Sequence, residues 1–157
     1  MSQHPENEFE LSNDEMHLYS RQILLEGWDI EAQEKLKLAN VLMIGAGGIG
    51  CTSAELLARA GVGKITIVDA DAIEISNLQR QIAFTSNDLG HYKAEVLAKH
   101  LQKINPHIQV NYQNSRFDES NADELVRHQD VVLDGCDNFS TRYLVNALCK
   151  KHQVPLI

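Results

Sequence analysis

The chain is poor in the residues that staple or anchor a protein. It has three cysteines, Cys51, Cys136 and Cys149, widely spaced and with no C-x-x-C pair. That spacing argues against a disulfide framework and a zinc site, and it suits the reduced thiols of a cytoplasmic protein. The seven histidines show no paired metal spacing either, so no structural metal is expected within these residues. Basic side chains are scarce, 14 Lys and Arg against 22 Asp and Glu, giving a formal net charge of −8. Such a balance argues against general nucleic-acid binding and against an anionic membrane surface. No apolar run approaches the length of a transmembrane helix, and the N-terminus lacks the basic-then-apolar order of a signal peptide. Internal repeats, low-complexity tracts and interdomain linkers are also missing.

What is present suits one domain with a real core, 157 residues of which 43% are apolar. Val41 to Ile44 reads as a short strand buried on both faces, as in a parallel sheet. Gly45-Ala46-Gly47-Gly48-Ile49-Gly50 follows and fits G-x-G-x-x-G. Cys51 to Ala60 is expected to be a helix with Leu56, Leu57 and Ala60 on one side, stopped by Gly61 to Gly63. Lys64 to Val68 makes a second strand that ends at Asp69, roughly 20 residues beyond the glycines. Glycine is needed where a backbone turns sharply and approaches a bulky anion, and the helix N-terminus then faces that anion. An acidic residue at this distance can accept from ribose hydroxyls. A glycine turn that serves helix–sheet packing alone is the competing reading. Strand, turn, helix, strand and acid in that order favour a nucleotide.

The flanking segments extend the pattern. Residues 1–10 are expected to form a mobile acidic arm. Ser12 with Glu15 forms a candidate capping box, and Met16, Tyr19, Ile23 and Leu24 continue a helical spacing toward Gly27. Glu31 to Leu38 reads as another short helix, and Arg21, in this helical lead-in, is the first positive charge of the chain. After Asp69, the run from Ala70 to Gln81 is too polar for a core helix. Its Ser76, Asn77, Arg80 and Gln81 lie just beyond a strand's carboxyl end, where open α/β sheets bind ligands. Lys93 opens a helix that runs to Lys103, against the helix dipole, so it invites an anion as partner. Ile108 to Tyr112 alternates like a half-exposed strand, and Asn121 to Arg127 reads as a helix. Val131 to Leu133 is a further buried strand, and Asp134-Gly135-Cys136-Asp137-Asn138 follows it. Asp137 suits Mg²⁺ over a phosphate site, or else caps the helix expected from Phe139 to Lys151. Cys136 has no histidine at a telling distance and reads as a small buried thiol. Val154 to Ile157 is expected to be the next strand, with partner elements beyond it, so the chain reads either as a fragment or as a form that has lost its second half.

Together the segments resemble a known family. Gly45-Ala-Gly-Gly-Ile-Gly50, Val68-Asp69-Ala-Asp71, Ser76-Asn-Leu-Gln-Arg80-Gln81, Lys93, Ile104-Asn-Pro-His107 and Asp134-Gly-Cys-Asp137-Asn138 resemble the ThiF/MoeB family. These are bacterial relatives of ubiquitin-activating enzymes. Tyr19-Ser-Arg21-Gln22 also matches the family's N-terminal helix, and the resemblance covers residues 11–157. It implies an α/β domain, Rossmann-like and doubly wound with a mostly parallel sheet, behind an N-terminal helical lead-in. It also implies ATP-dependent adenylation of the C-terminal glycine carboxylate of a ubiquitin-like sulfur carrier in the molybdopterin or thiamine pathway. Gly45, Gly47, Gly48 and Gly50 would form the nucleotide turn, with Asp69 on the ribose and Asp71 and Gln81 also at the nucleotide. Asn77, Arg80 and Lys93 would meet the phosphates, Asp137 would bind Mg²⁺, and Arg21 would reach the triphosphate from the other subunit of a homodimer. Family members carry two C-x-x-C pairs for zinc in a later part that these residues do not contain. Two other readings stand beside this one. A nicotinamide-dependent dehydrogenase would use the same glycine turn and Asp69 but has no use for Arg80, Lys93 and Asp137. A nucleotide-binding interaction module would keep the fold without turnover.

Overall fold

A computed structural model of the chain describes residues 10–157, so the acidic arm expected over residues 1–10 falls outside the described residues except for Glu10. Four parallel strands form one sheet in the order β3-β2-β1-β4. They are β1 (Asn40–Ile44), β2 (Lys64–Val68), β3 (Gln109–Gln113) and β4 (Val131–Asp134). Alternate residues of a strand point to opposite faces, and the two faces are covered by different helices. Val41, Met43, Ile65 and Ile67 pack with Ala54, Ala58, Leu97 and Leu101, the inner faces of α4 (Gly48–Ala60) and α5 (Lys93–Ile104). Leu42, Ile44, Val68 and Val132 pack with Ala122, Val126, Val145 and Cys149 of α6 (Ala122–Val126) and α7 (Phe139–His152). This is the doubly wound α/β arrangement expected from the sequence. The chain changes faces between β1 and β4, and that switch point is where such sheets bind ligands at their carboxyl edge.

Three expectations are corrected. The buried face of α4 is Gly50, Cys51, Ala54 and Ala58, whereas Leu56 is 62% exposed. Small side chains bring this helix close to the sheet, and the bulkier leucines are displaced to its flank and outer side. The helical spacing from Met16 to Leu24 is not one helix. It breaks at Tyr19 into α1 (Asn13–Leu18) and α2 (Ser20–Ile23), because the Tyr19 ring is buried and its hydroxyl is claimed by the core. Val154 to Ile157 is not a full strand. It pairs with β4 in the expected parallel sense but through a single bridge, Val132 to Leu156, with the Val132 N–H on the Pro155 carbonyl at 2.9 Å, the Ile157 N–H on the Val132 carbonyl at 3.0 Å and the Asp134 N–H on the Ile157 carbonyl at 2.8 Å. Pro155 has no N–H to carry the ladder further toward Val154.

The lead-in of α1, α2 and α3 (Ile30–Leu38) starts at the expected capping box. The Glu15 N–H donates to Ser12 Oγ at 3.3 Å and the Ser12 N–H to Glu15 Oε2 at 2.8 Å. The lead-in docks on the C-terminal ends of α4 and α5. Asn105 Nδ2 donates to the Tyr19 hydroxyl at 2.8 Å, and the Ala60 carbonyl accepts from Gln22 Nε2 at 2.7 Å and from Gln33 Nε2 at 2.8 Å. Those helix ends lie at the amino edge of a parallel sheet, opposite the glycine turn.

Candidate nucleotide site

At the carboxyl edge the glycine turn is built by close backbone contacts. Gly45 has φ +91° and donates its N–H to the Val68 carbonyl at 2.9 Å. A Cβ there would lie 2.7 Å from the Gly135 carbonyl oxygen, and a Cβ on Gly50 would lie 2.0 Å from that of Gly45. Gly47 differs, since a Cβ on it would meet nothing within 4 Å. It is the N-cap of α4 and has no side chain to bond the first-turn N–H groups. Those donors, with the positive end of the helix dipole, therefore remain available to an anion.

The turn opens into a cavity of about 860 Å³ whose walls come from the segments that follow all four strands. Gly45, Gly47, Gly48, Asp69, Asp71, Arg80, Gln81, Lys93 and Asp137 all line it. Asp69 Oδ2 accepts the Ala46 N–H at 2.7 Å and its Oδ1 accepts the Asp71 N–H at 2.7 Å. Burial pushes the Asp69 carboxyl above its ordinary pKa, against the pull of those two bonds. Lys93 does meet an anion, and in the chain itself that anion is Asp71, with Nζ 2.9 Å from Oδ2. The Lys93 side chain is 9% exposed and that of Asp71 is 71%, so the lysine is fixed from below and the carboxylate is open to solvent. The stem of Arg80 lies against Gly48, and its Nη1 donates to the Ser76 carbonyl at 3.0 Å. Gln81 is 2% exposed, and its Oε1 has no partner among the described residues.

The other expected site residues stand elsewhere. Gly50 lies behind the turn and serves its packing. Asn77 is buried and turns its Oδ1 to the Glu74 N–H at 3.0 Å, closing a short 3₁₀ turn over Ile75–Asn77, and it is not part of the cavity lining. Arg21 sits on α2 at the opposite edge of the sheet. Asp137 does not cap α7. Asn138 does, accepting the Thr141 N–H at 2.9 Å, and the Asp137 carboxylate forms no hydrogen bond or ion pair among the described residues. Cys136 is half-buried at the cavity wall, not a buried packing thiol, and its pKa is raised chiefly by desolvation. Cys51 is buried and its thiol is pushed up to about 12, so neither cysteine is an activated nucleophile.

Sequence reading missed part of the wall. Ser115, Arg116, Phe117 and Asp118 follow β3, and Arg142 stands one turn into α7. A carboxyl-edge position after a strand was the available signal for the first group, and it went unused because the segment carries no motif. Arg80, Lys93, Arg116 and Arg142 together bring four cationic side chains to one cavity of a chain with net charge −8. No three His, Cys, Asp or Glu side chains converge to hold a metal among the described residues.

Residues 19–157 match the sequence profile of the ThiF family. The chain belongs to that family. Among curated ThiF-type relatives, the molybdopterin-synthase adenylyltransferase of Salmonella typhimurium is 45% identical over 148 residues, covering 94% of this chain and 59% of that protein. A sulfur carrier protein adenylyltransferase of Thermus thermophilus is 44% identical, covering 86% of this chain and 50% of that protein. Among solved structures, the E. coli tRNA N6-threonylcarbamoyladenosine dehydratase TcdA in complex with ATP superposes with a TM-score of 0.86 at 28% identity. That match covers 92% of this chain and 59% of the dehydratase. The chain thus spans between half and three fifths of the length of these relatives.

Proposed function

We propose that the carboxyl-edge cavity binds ATP with Mg²⁺ and serves adenylation of the C-terminal glycine carboxylate of a ubiquitin-like sulfur carrier in the molybdopterin or thiamine pathway. The observation that carries this reading is the buried Lys93, held in a cavity that also presents Arg80 and Arg116 beside a glycine turn whose N-cap carries no side chain. A carboxylate attacking a triphosphate brings two anions together, so fixed positive charge must be in place beforehand. Hydride transfer needs no such set. The likeness to named adenylyltransferases supports the same reaction.

The carboxylate oxygen forms a bond to the α-phosphorus, and the bond from that phosphorus to the bridging oxygen breaks, releasing pyrophosphate and leaving an acyl-adenylate. Asp69 accepts from the ribose hydroxyls. The first-turn N–H groups of α4 hold phosphate oxygens, which the open space above Gly47 supports. Arg80 and Lys93 neutralise charge on the triphosphate, with Lys93 shared between Asp71 and the ligand. Gln81 lines the nucleotide cavity as a buried polar wall. Asn77 supports the Arg80 segment from behind by closing its turn. Asp137, a carboxylate with no partner among the described residues, fits Mg²⁺ over a phosphate site, since Mg²⁺ takes one or two carboxylates and fills its sphere with phosphate and water oxygens. The metal supplies charge neutralisation at the phosphates.

Arg21 lies too far from its own cavity to take part. Strands of this length put about 16 Å between the two sheet edges, beyond the reach of a side chain. Its exposed position supports action on the site of a second copy in a homodimer. The test of the function is ATP–pyrophosphate exchange by the protein, with and without a ubiquitin-fold carrier ending in glycine. Exchange should require the free carboxylate, and Lys93→Ala should lower it by about 10²-fold or more. Exchange that ignores the carrier, or survives Lys93→Ala, contradicts the proposal.

A further inference from the structure

Arg142 closes a ring of contacts around the loop that carries Asp137. Its Nη2 donates to the Cys136 carbonyl at 2.9 Å, and its Nε lies 3.6 Å from Asp134 Oδ2. The other oxygen of Asp134 accepts the Cys136 N–H at 3.0 Å. Cys136 is therefore held at its N–H from the end of β4 and at its carbonyl from α7. That carbonyl belongs to the planar peptide unit joining Cys136 to Asp137. Fixing this plane fixes the N–Cα axis about which the Asp137 backbone turns, and so narrows the directions its side chain can take once the far end of the loop is also held. Gly135 anchors the near end, its N–H on the Ile44 carbonyl at 2.8 Å, and Asn138 anchors the far end as the cap of α7. An exposed loop needs such ties if one of its carboxylates is to stand ready for a ligand.

We propose that Arg142 is a positioning residue, which together with Asp134 sets the Asp137 carboxylate toward a nucleotide-bound Mg²⁺. This rests on the proposed role of Asp137. Lysine is a poor substitute, because one ammonium does not reproduce the planar fork that spans the Cys136 carbonyl and the Asp134 carboxylate.

The test is calorimetric titration of the protein with ATP, in Mg²⁺ and again in a chelator. The wild type should bind more tightly with Mg²⁺, and Asp137→Ala should lose that gain. Arg142→Ala should lose about tenfold or more of the Mg²⁺-dependent gain, as removal of an outer-shell partner does, with metal-free ATP affinity little changed. Arg142→Lys should fail in the same direction, and it carries the test if Arg142→Ala does not melt cooperatively. If both Arg142 variants keep the gain that Asp137→Ala loses, the positioning role is wrong and the Mg²⁺ reading stands. If they weaken ATP equally with and without metal, Arg142 is a direct phosphate ligand and the positioning role is again wrong. If Asp137→Ala keeps the full gain, the Mg²⁺ reading falls and this inference falls with it.

Discussion

Two glycines three residues apart do opposite work. A Cβ on Gly50 would lie 2.0 Å from a backbone oxygen, whereas one on Gly47 would enter open cavity space. Gly50→Ala should therefore destabilise the fold by about 1–3 kcal/mol or more, the cost of overpacking against backbone that cannot move away. Gly47→Ala should leave stability within about 0.5 kcal/mol, yet weaken ATP by roughly tenfold or more, the worth of a lost charge-assisted bond to phosphate. Thermal melts and ATP titrations on both variants check the pair. If Gly47→Ala binds ATP as the wild type does, the phosphates do not lie over the turn. The glycines, Asp69 and Asp137 were legible in the sequence because each follows a strand end, and Lys93 because it opens a helix against the dipole. The contact between Lys93 and Asp71 was not, since it joins two segments 22 residues apart. Asn77 was read as a phosphate ligand because its side chain is polar and near the site. Its burial and its turn-closing bond depend on how residues 74–77 fold back, which residue type does not reveal.

The elements were legible wherever period and punctuation agreed. Each of β1, β2, β3 and β4 falls within a residue or two of its expected bounds, because short apolar or alternating runs ended by Gly, Asp or Pro have few other solutions. The buried face of α4 was misjudged, because a helix of small residues can approach a sheet more closely than leucines permit. The break at Tyr19 depends on Asn105, 86 residues away. That contact predicts a cost. Asn105→Leu should strand the buried Tyr19 hydroxyl and lower stability by about 1–3 kcal/mol, measured by urea unfolding, and an unchanged midpoint would mean that the lead-in is held otherwise. A second element-level prediction concerns α6 and α7, where Asp123 meets Lys151 at 2.6 Å, His152 at 2.8 Å and Arg127. Hydrogen bonds from Lys151, Arg127 and His152 hold the Asp123 carboxyl well below the usual carboxylate range. A depressed carboxylate contributes stability above its unfolded pKa of about 3.9 and loses it as the pH falls further. Asp123→Asn should melt below the wild type at pH 7, and the gap should close in acid below about pH 4. A gap that stays constant with pH contradicts the charge role.

At the scale of the whole molecule, the sheet order turns scattered residues into a site. The parallel run of the strands brings the glycine turn, the ends of β2 and β3, and the loop after β4 to one edge, and the face change between β1 and β4 opens a crevice there. The helical lead-in goes to the other edge, and with it Arg21. If Arg21 serves a second subunit, an Arg21→Ala variant and a Lys93→Ala variant should each be inactive in ATP–pyrophosphate exchange and regain part of the activity when mixed. A mixture that exchanges subunits and stays inactive assigns Arg21 to the lead-in alone. Calorimetric titration with ATP and with NADH in magnesium buffer, for the wild type and for Lys93→Ala, decides whether the carboxyl-edge cavity is an ATP site built on cations. Saturable binding of ATP, weakened about tenfold or more by Lys93→Ala, with no binding of NADH, is the predicted result. NADH binding as tightly as ATP, with Lys93→Ala binding both as the wild type does, would contradict it.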